Sequence, residues 1–515
     1  MGITKIPRKW VKSFYRLVLS RLGLASRNDL AEAQSAIYQE LKSNHTIMVG
    51  MRTALEQLHT ENTQLRAACF IARREAQSMG AVLRNDLRSL NAMLEQIDPQ
   101  PGRKLLRICI VLPYAYSLFN SSTSFLFGGS EFRAWILGRA LAALGEIEVF
   151  FAVNDHGQGP LETWDKVKVY RATSLLAKLS PPPAAIWPEG RCIESLTINE
   201  DLVCEENLSY ITNTDADLYC VFGIHNMAAE IMTLCHREER PVALFIGSDD
   251  HLAGGSSNDS NSRDSYGNYT SYIYSTLKAA DLIFAQTNHQ AEMLRQGFGR
   301  EAIVLPSPID LNDSPLLGPR TKAPAPVCLW IGKSDQVKRP ELLIDLARHL
   351  PDFQFLMVMN ISNAEIHDRI QAEAPANVRI IERLSIPEIE VLFGQASFLV
   401  NTSRFEGFPN TFLQAGKFGV PIVSLNVDPD NFIQTKECGL VAGGQMESMV
   451  EGLRSLVADP FRYVRLSSNV YHYVTDHHEP TRIARMLNRV LLDYRHQIDP
   501  VETVEADSRL LKLVH

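Results

Sequence analysis

The apolar positions of this chain follow three successive rhythms. In the first 27 residues Ile6, Trp10, Phe14, Leu17 and Val18 share one helical face, with Lys5, Lys9, Lys12 and Arg16 mostly elsewhere. From Leu30 to Ile97 the period becomes seven. With Leu30 at position a and Gln34 at position d, sixteen of the twenty seam positions are apolar, and no proline interrupts them. That spacing predicts a coiled coil over 29–98. Asn44 and Asn62 in the seam would cost stability but fix register and favour a homodimer. Gly50 and Gly80 keep open a helical hairpin folded back within one chain. The run PQPGRK (99–104) ends the helix, because proline cannot continue it.

Beyond residue 104 strand-like and helix-like segments alternate. Continuous apolar runs at Leu105–Leu112, Ile147–Val153, Leu218–Phe222, Val242–Ile246, Leu282–Ala285 and Ala302–Leu305 read as strands, and 130–144 as an amphipathic helix. Such alternation implies parallel sheets covered by helices on both faces. The proline-rich stretch 312–326 reads as a linker, which separates a unit over 105–311 from a second over 327–478. Residues 479–498 form a last helix. The polar insert 253–272 reads as a loop. The fold class expected is therefore α/β, with two doubly wound Rossmann-like domains behind a long α-helical coiled coil.

Composition narrows the class. A chain of 515 residues exceeds one core. The net charge of −8 argues against a nucleic-acid binder. Seven basic and no acidic side chains in the first 27 residues, with Trp10 and Phe14, suit a helix lying on an anionic membrane surface. A helix docked on a neighbouring domain, or a solvated basic arm, fits the same residues. The eight cysteines show no metal-like spacing, and Cys109, Cys220 and Cys328 lie in apolar strands. No apolar run reaches the ~20 residues of a membrane span, and the N-terminus lacks a signal-peptide core. The expectation is a cytoplasmic protein, peripheral at the inner face of the membrane if its basic segment binds lipid.

The chemistry concentrates in VNTSRFEGFPNTFLQAGKFGVPIVS (400–424). A short strand from Ser397 leads into a polar turn with one carboxylate, Glu406. Gly407 and Pro409 then open a helix whose first N–H groups lack intrahelical partners. A second strand, Val420 to Leu425, follows. An acid beside free N–H groups at a strand–turn–helix junction suits a ligand with hydroxyls and negative charge, such as a sugar joined to a diphosphate.

This stretch resembles the signature of the family-4 retaining glycosyltransferases, in which two glutamates stand in an EGFP…EA context. WIGKSDQVKRPELLIDLA (330–347) looks like the family's strand, basic loop and helix. GGSEFRAWILGRALAALG (128–145) looks like its Gly-Gly-x-Glu loop and first helix, and 285–311 like the segment closing its first domain. The resemblance implies the GT-B architecture, two such domains facing across a cleft, with 479–498 crossing back onto the first. It implies retention of configuration, with a nucleoside-diphosphate sugar as donor and a glycan or lipid-linked molecule as acceptor.

The resemblance also assigns roles. Lys333 and Lys338 would hold the donor diphosphate, where two ammonium groups lower the barrier to leaving-group departure. The family more often has arginine at the first position. Glu406 would bind a donor-sugar hydroxyl, and the amides of Phe408, Pro409, Asn410 and Thr411 would meet sugar and phosphate oxygens. The second glutamate is Gln414 here, an amide in the place that usually holds the ribose. Gly128 and Gly129 would let backbone approach a phosphate, and His225 would face the reacting centre. Asp249 is a further cleft-facing candidate.

Two acidic runs, Asp428-Pro429-Asp430 and Ser248-Asp249-Asp250, look like metal-binding Asp-x-Asp, but the two-domain layout argues for lysines and a helix end in the cation's place. No metal and no cofactor is expected beyond the sugar nucleotide as co-substrate. Two other functions fit the same features: a coiled-coil scaffold with a silent transferase domain, suggested by Lys333 and Gln414, and a sugar-nucleotide epimerase on the same fold.

Overall fold

The structure is a computed structural model that describes residues 105–498, apart from 121, 124–126, 173–213, 255–262, 265–266 and 312–324. The basic helix over 1–28, the coiled coil over 29–98, nearly all of the linker 312–326 and the middle of the insert 253–272 lie outside the described residues.

The apolar runs become two sheets. The first holds β1 (Leu106–Val111), β2 (Ile147–Val153), β3 (Leu161–Trp164), β4 (Val167–Arg171), β5 (Leu218–Phe222), β6 (Val242–Phe245), β7 (Leu282–Ala285) and β8 (Ile303–Val304), in the order β3-β4-β2-β1-β5-β6-β7-β8. The second holds β9 (Val327–Lys333), β10 (Gln354–Asn360), β11 (Val378–Ile381), β12 (Phe398–Asn401), β13 (Ile422–Ser424) and β14 (Gly439–Val441), in the order β11-β10-β9-β12-β13-β14. Pairing is parallel except between β3 and β4. That hairpin departs from the all-parallel expectation because Asp165 and Lys166, both at positive φ, make the two-residue turn between antiparallel strands.

Helices cover the sheets. Those used below are α1 (Gly129–Leu144), α2 (Asn226–Arg237), α3 (Thr270–Ala279), α4 (Asn288–Phe298), α5 (Pro340–His349), α6 (Ala364–Glu373), α7 (Ile386–Gln395), α8 (Asn410–Lys417), α9 (Met446–Ala458), α10 (Pro460–His477) and α11 (Pro480–Ile498). Each sheet is lined on both faces by buried apolar side chains, as a parallel sheet requires. α11 leaves the second lobe and buries Ile483, Ala484, Leu487 and Leu491 against the first. Asn488 bonds Glu146 there at 2.9 Å. A further contact zone joins the lobes: Phe132 and Ile136 of α1 and Ile309 cluster with Phe408, Phe412 and Phe432.

The strands in which cysteines were expected bury Cys109, Cys220 and Cys328 as free thiols. Burial pushes the Cys109 thiol up to about 12, so it is unreactive. Among the described residues no helix is long and apolar enough to cross a membrane.

Candidate active site

In each sheet the strand order reverses once near the middle, between β1 and β5 in the first and between β9 and β12 in the second. Loops leaving the carboxyl ends of such neighbours diverge and open a crevice for ligand. The loop after β9 carries Lys338 and the loop after β12 carries Glu406. The two meet as an ion pair, Lys338 Nζ donating to Glu406 Oε1, with side-chain exposures of 26% and 14%. Lys333 is the last residue of β9 rather than the first of the loop, and it is exposed.

Backbone and side-chain bonds fix where Lys338 stands. Asp335 Oδ1 accepts the N–H groups of Val337 at 3.0 Å and Lys338 at 2.8 Å. Arg339 then adopts a left-handed conformation (φ 50°), uncommon for a side chain with a Cβ. Its guanidinium holds that turn by donating to the carbonyls of Thr402 at 2.7 Å and Ser403 at 3.0 Å. Thr402 in turn donates to Lys338 O at 2.7 Å and accepts from the Trp330 indole at 2.9 Å. The basic loop and the acidic loop are thus bonded to each other before they reach their charged tips.

The residues expected to bind donor occupy three environments. Asn410 and Thr411 begin α8, the end of a helix where N–H groups lack intrahelical partners. Across the cleft Asn410 Nδ2 donates to Gly129 O at 2.9 Å. A Cβ on Gly129 would stand 3.0 Å from that nitrogen, so glycine permits the close approach. Gly128 donates its N–H to Glu131 at 2.8 Å, a capping contact at the start of α1. Phe408 corrects the expectation of a free amide, because its N–H donates to Gln286 Oε1 at 2.7 Å. Its ring is buried, 5.2 Å from Phe432 and 4.8 Å from His478. Pro409, as a proline, offers no N–H and serves as the N-cap of α8. Gln414 is buried on α8.

The first lobe contributes a neutral imidazole and a carboxyl of raised pKa. His225 ends the loop after β5 and caps α2, its Nδ1 accepting the Ala228 N–H at 3.0 Å. Burial, then the nearby His251, pushes its pKa down to about 4. Nδ1 is thereby occupied, and the ring is an uncharged group beside Gly223. Asp249 follows β6 and donates its N–H to Glu406 O at 3.4 Å. Burial raises its carboxyl to about 6, against the Gln290 amide that bonds it at 3.0 Å.

The Asp-Pro-Asp run is spent on backbone donors. Asp430 accepts the N–H groups of Asn288 and His289, each at 2.9 Å, and so caps α4 from the other lobe. Asp428 accepts from Ile433 at 2.7 Å. Among the described residues no cluster of three metal-ligating side chains stands close enough to hold an ion. Two residues that the sequence did not single out, Gln286 and Gln290, make or brace contacts between the lobes, and Asp430, which the sequence offered only as part of a metal-like run, makes another. The one local sign was the i, i+4 pair of amides behind a strand.

Comparison with known proteins agrees with this fold. Residues 325–459 match the family model for glycosyl transferases group 1. A stretch of 130 residues is 28% identical to an uncharacterized glycosyltransferase of Haemophilus influenzae, covering 24% of this chain and 35% of that relative's length. Among solved structures, sucrose-phosphate synthase from Thermosynechococcus elongatus superposes with a TM-score of 0.58 at 17% identity, over 77% of this chain and all of that one (100%). A point mutant of TarM from S. aureus, solved with UDP, gives 0.53 at 12% identity, over 75% of this chain and 99% of that one. WaaG, a glycosyltransferase involved in lipopolysaccharide biosynthesis, gives 0.52 at 15% identity over 74% and 99%. The second lobe is therefore similar to the glycosyl transferases group 1 over residues 325–459, and the two lobes together have the GT-B fold.

Proposed function

We propose that the chain transfers a hexose from a nucleoside-diphosphate sugar to a glycan or lipid-linked acceptor with retention of configuration. The Lys338–Glu406 pair beside the start of α8 carries this reading. The bond from the anomeric carbon to the diphosphate breaks, and negative charge grows on the departing phosphate. Lys338, Lys333 and the N–H groups of Asn410 and Thr411 stabilise it there. Glu406 grips a sugar hydroxyl and orients the ring. The acceptor oxygen attacks from the same face and passes its proton to the leaving phosphate oxygen. Cations and a helix end perform the work a metal does elsewhere, so the reaction is metal-independent.

The Gly128–Gly129 loop closes over the phosphates from the first lobe, and His225 lines the acceptor side. TarM on this fold was solved with UDP, and WaaG is involved in lipopolysaccharide biosynthesis. Both support a sugar nucleotide as donor and a cell-surface polysaccharide as product. The basic segment 1–27 would hold the enzyme on an anionic membrane surface from the cytoplasmic side, and 29–98 would join two copies. Flotation of the full chain with anionic but not neutral vesicles, and a dimer mass in ultracentrifugation, would test those two points.

A donor and acceptor screen with NMR of the product decides the main reading. An inverted anomeric centre would sink retention, and full loss of turnover with a chelator, restored by manganese, would sink metal independence. Gln414 favours one second reading, a coiled-coil scaffold with a silent domain. Calorimetry that finds no sugar-nucleotide binding would establish it.

A further inference from the structure

Between β7 and α4 the chain buries two amides, Gln286 at 7% and Gln290 at 0% exposure. A buried amide destabilises unless its donors and acceptors are all met. Gln286 meets them with groups from both lobes. Its Nε2 donates to Ile246 O at 2.9 Å and Gly247 O at 3.1 Å. Its Oε1 accepts the Phe408 N–H at 2.7 Å and the Ser307 hydroxyl at 3.3 Å. Its backbone N–H donates to Gln290 Oε1 at 2.8 Å, and Gln290 Nε2 reaches Asp249 at 3.0 Å. Only one orientation of the amide serves two carbonyls on one side and two donors on the other. Gly407 completes the contact, since a Cβ there would stand 2.4 Å from Gly247 O and 3.1 Å from Gln286 Nε2.

We propose that Gln286 is a positioning residue that seats the Glu406–Phe408 loop against the first lobe. The Phe408 amide lies two residues from Glu406 and opens the turn into α8, so what holds it also sets the carboxylate opposite the acceptor side. Nothing in the local sequence of 400–411 fixes that placement; a side chain 122 residues away does. The proposal rests on the transferase reading of this site. Because the donor contacts assigned above lie mainly on the second lobe, loss of Gln286 weakens turnover and the exclusion of water more than it weakens donor binding.

Two variants of the full chain test it, Gln286→Leu and Gln286→Glu. Hydrogen exchange needs no substrate: in Gln286→Leu the Phe408 N–H should exchange about tenfold faster or more, as should the Asn288 and His289 amides that Asp430 covers. For transfer, kcat should fall roughly 10- to 100-fold with donor KM within about threefold, and the ratio of donor hydrolysis to transfer should rise. In Gln286→Glu a charged carboxylate faces two carbonyls, whereas its protonated form can donate to one and still accept from Phe408. Its activity should therefore climb as pH falls, while Gln286→Leu stays low throughout.

A folded Gln286→Leu with unchanged exchange at Phe408 would overturn the proposal, as would an unchanged kcat or a loss confined to KM. Should Gln286→Leu fail to fold, the pH profile of Gln286→Glu decides alone, and a flat one counts against the proposal. If the wild type consumes no sugar nucleotide, the transferase reading fails while the exchange at Phe408 still decides the seat.

Discussion

At the mouth of the cleft the second lobe displays its ions and the first lobe suppresses them. Lys338, Glu406 and Lys333 reach solvent at the ends of β9 and β12. Opposite them His225 is held neutral, Asp249 is pushed toward its protonated form, and Gln286 and Gln290 offer only amides. Arg133, a cation of the first lobe near these loops, is buried. Its guanidinium donates to Ile246 O and Leu305 O, and burial lowers its pKa to about 9. Two lobes of one fold have thus been given opposite electrostatic duties. Under the transferase reading a phosphate would be drawn to the second lobe, while an acceptor hydroxyl would meet mainly the amides and the neutral His225 on the other.

The strongest way to break that contrast is to remove the cation. Lys338→Ala should lower kcat by roughly 10²- to 10³-fold, the scale of losing one group aimed at developing charge. Glu406→Ala should lower transfer at least as far, while circular dichroism stays native for both. His225→Ala, on the neutral side, should cost about 1 kcal/mol of stability through the lost cap of α2. If His225→Ala proved as damaging to turnover as Lys338→Ala, the division of labour between the lobes would be wrong.

The charged half of this division was legible in the sequence; of the other half His225 and Asp249 were legible, and the amides Gln286 and Gln290 were not. β9, its basic loop and the turn from β12 into α8 are local: an apolar run, then polar residues, then proline at a helix start. Lys338 and Glu406 each sit in such a unit, so placing the units at the ends of adjacent strands brought the side chains together. Gln286 reads in the chain as an ordinary polar residue after a strand, and its partner Phe408 is 122 residues on. Asp430 misled in the other direction. It looks like half of a metal motif, yet it serves a helix 142 residues earlier. Spacing along the chain carries no trace of either contact.

A smaller effect sharpens the contrast through pH. The native carboxyl of Asp249 titrates near 6, above the value of 3.8 for an exposed aspartate. Between those values the folded protein binds more protons than the unfolded chain, so stability falls as pH rises. The contribution is full below about pH 4 and gone above about pH 6–7. Asp249→Asn should flatten the melting temperature across that window. It should also stabilise the fold above it, by about 2–3 kcal/mol at most. A wild-type Tm that rises from pH 4 to pH 7, with Asp249→Asn showing the same slope, would mean that burial does not govern this carboxyl.

The smallest effect concerns the clasp between lobes. Asp430 holds a left-handed backbone (φ 49°), followed by Asn431 at 57°, and from there caps α4 with both carboxylate oxygens. Strain and capping oppose each other at this residue, and three substitutions separate them. Asp430→Gly relieves the backbone but loses the cap. Asp430→Ala keeps the strain and loses the cap, so it should be the worst, by about 1 kcal/mol in stability. Asp430→Asn tolerates the conformation and retains one acceptor, so it should stay within about 0.5 kcal/mol of wild type. If the cap matters to the lobes and not only to α4, donor KM should follow the same order, Ala above Gly above Asn. Equal KM values across the set, with stabilities still ordered, would make Asp430 a local cap and leave the seating of the lobes to the amides beside it.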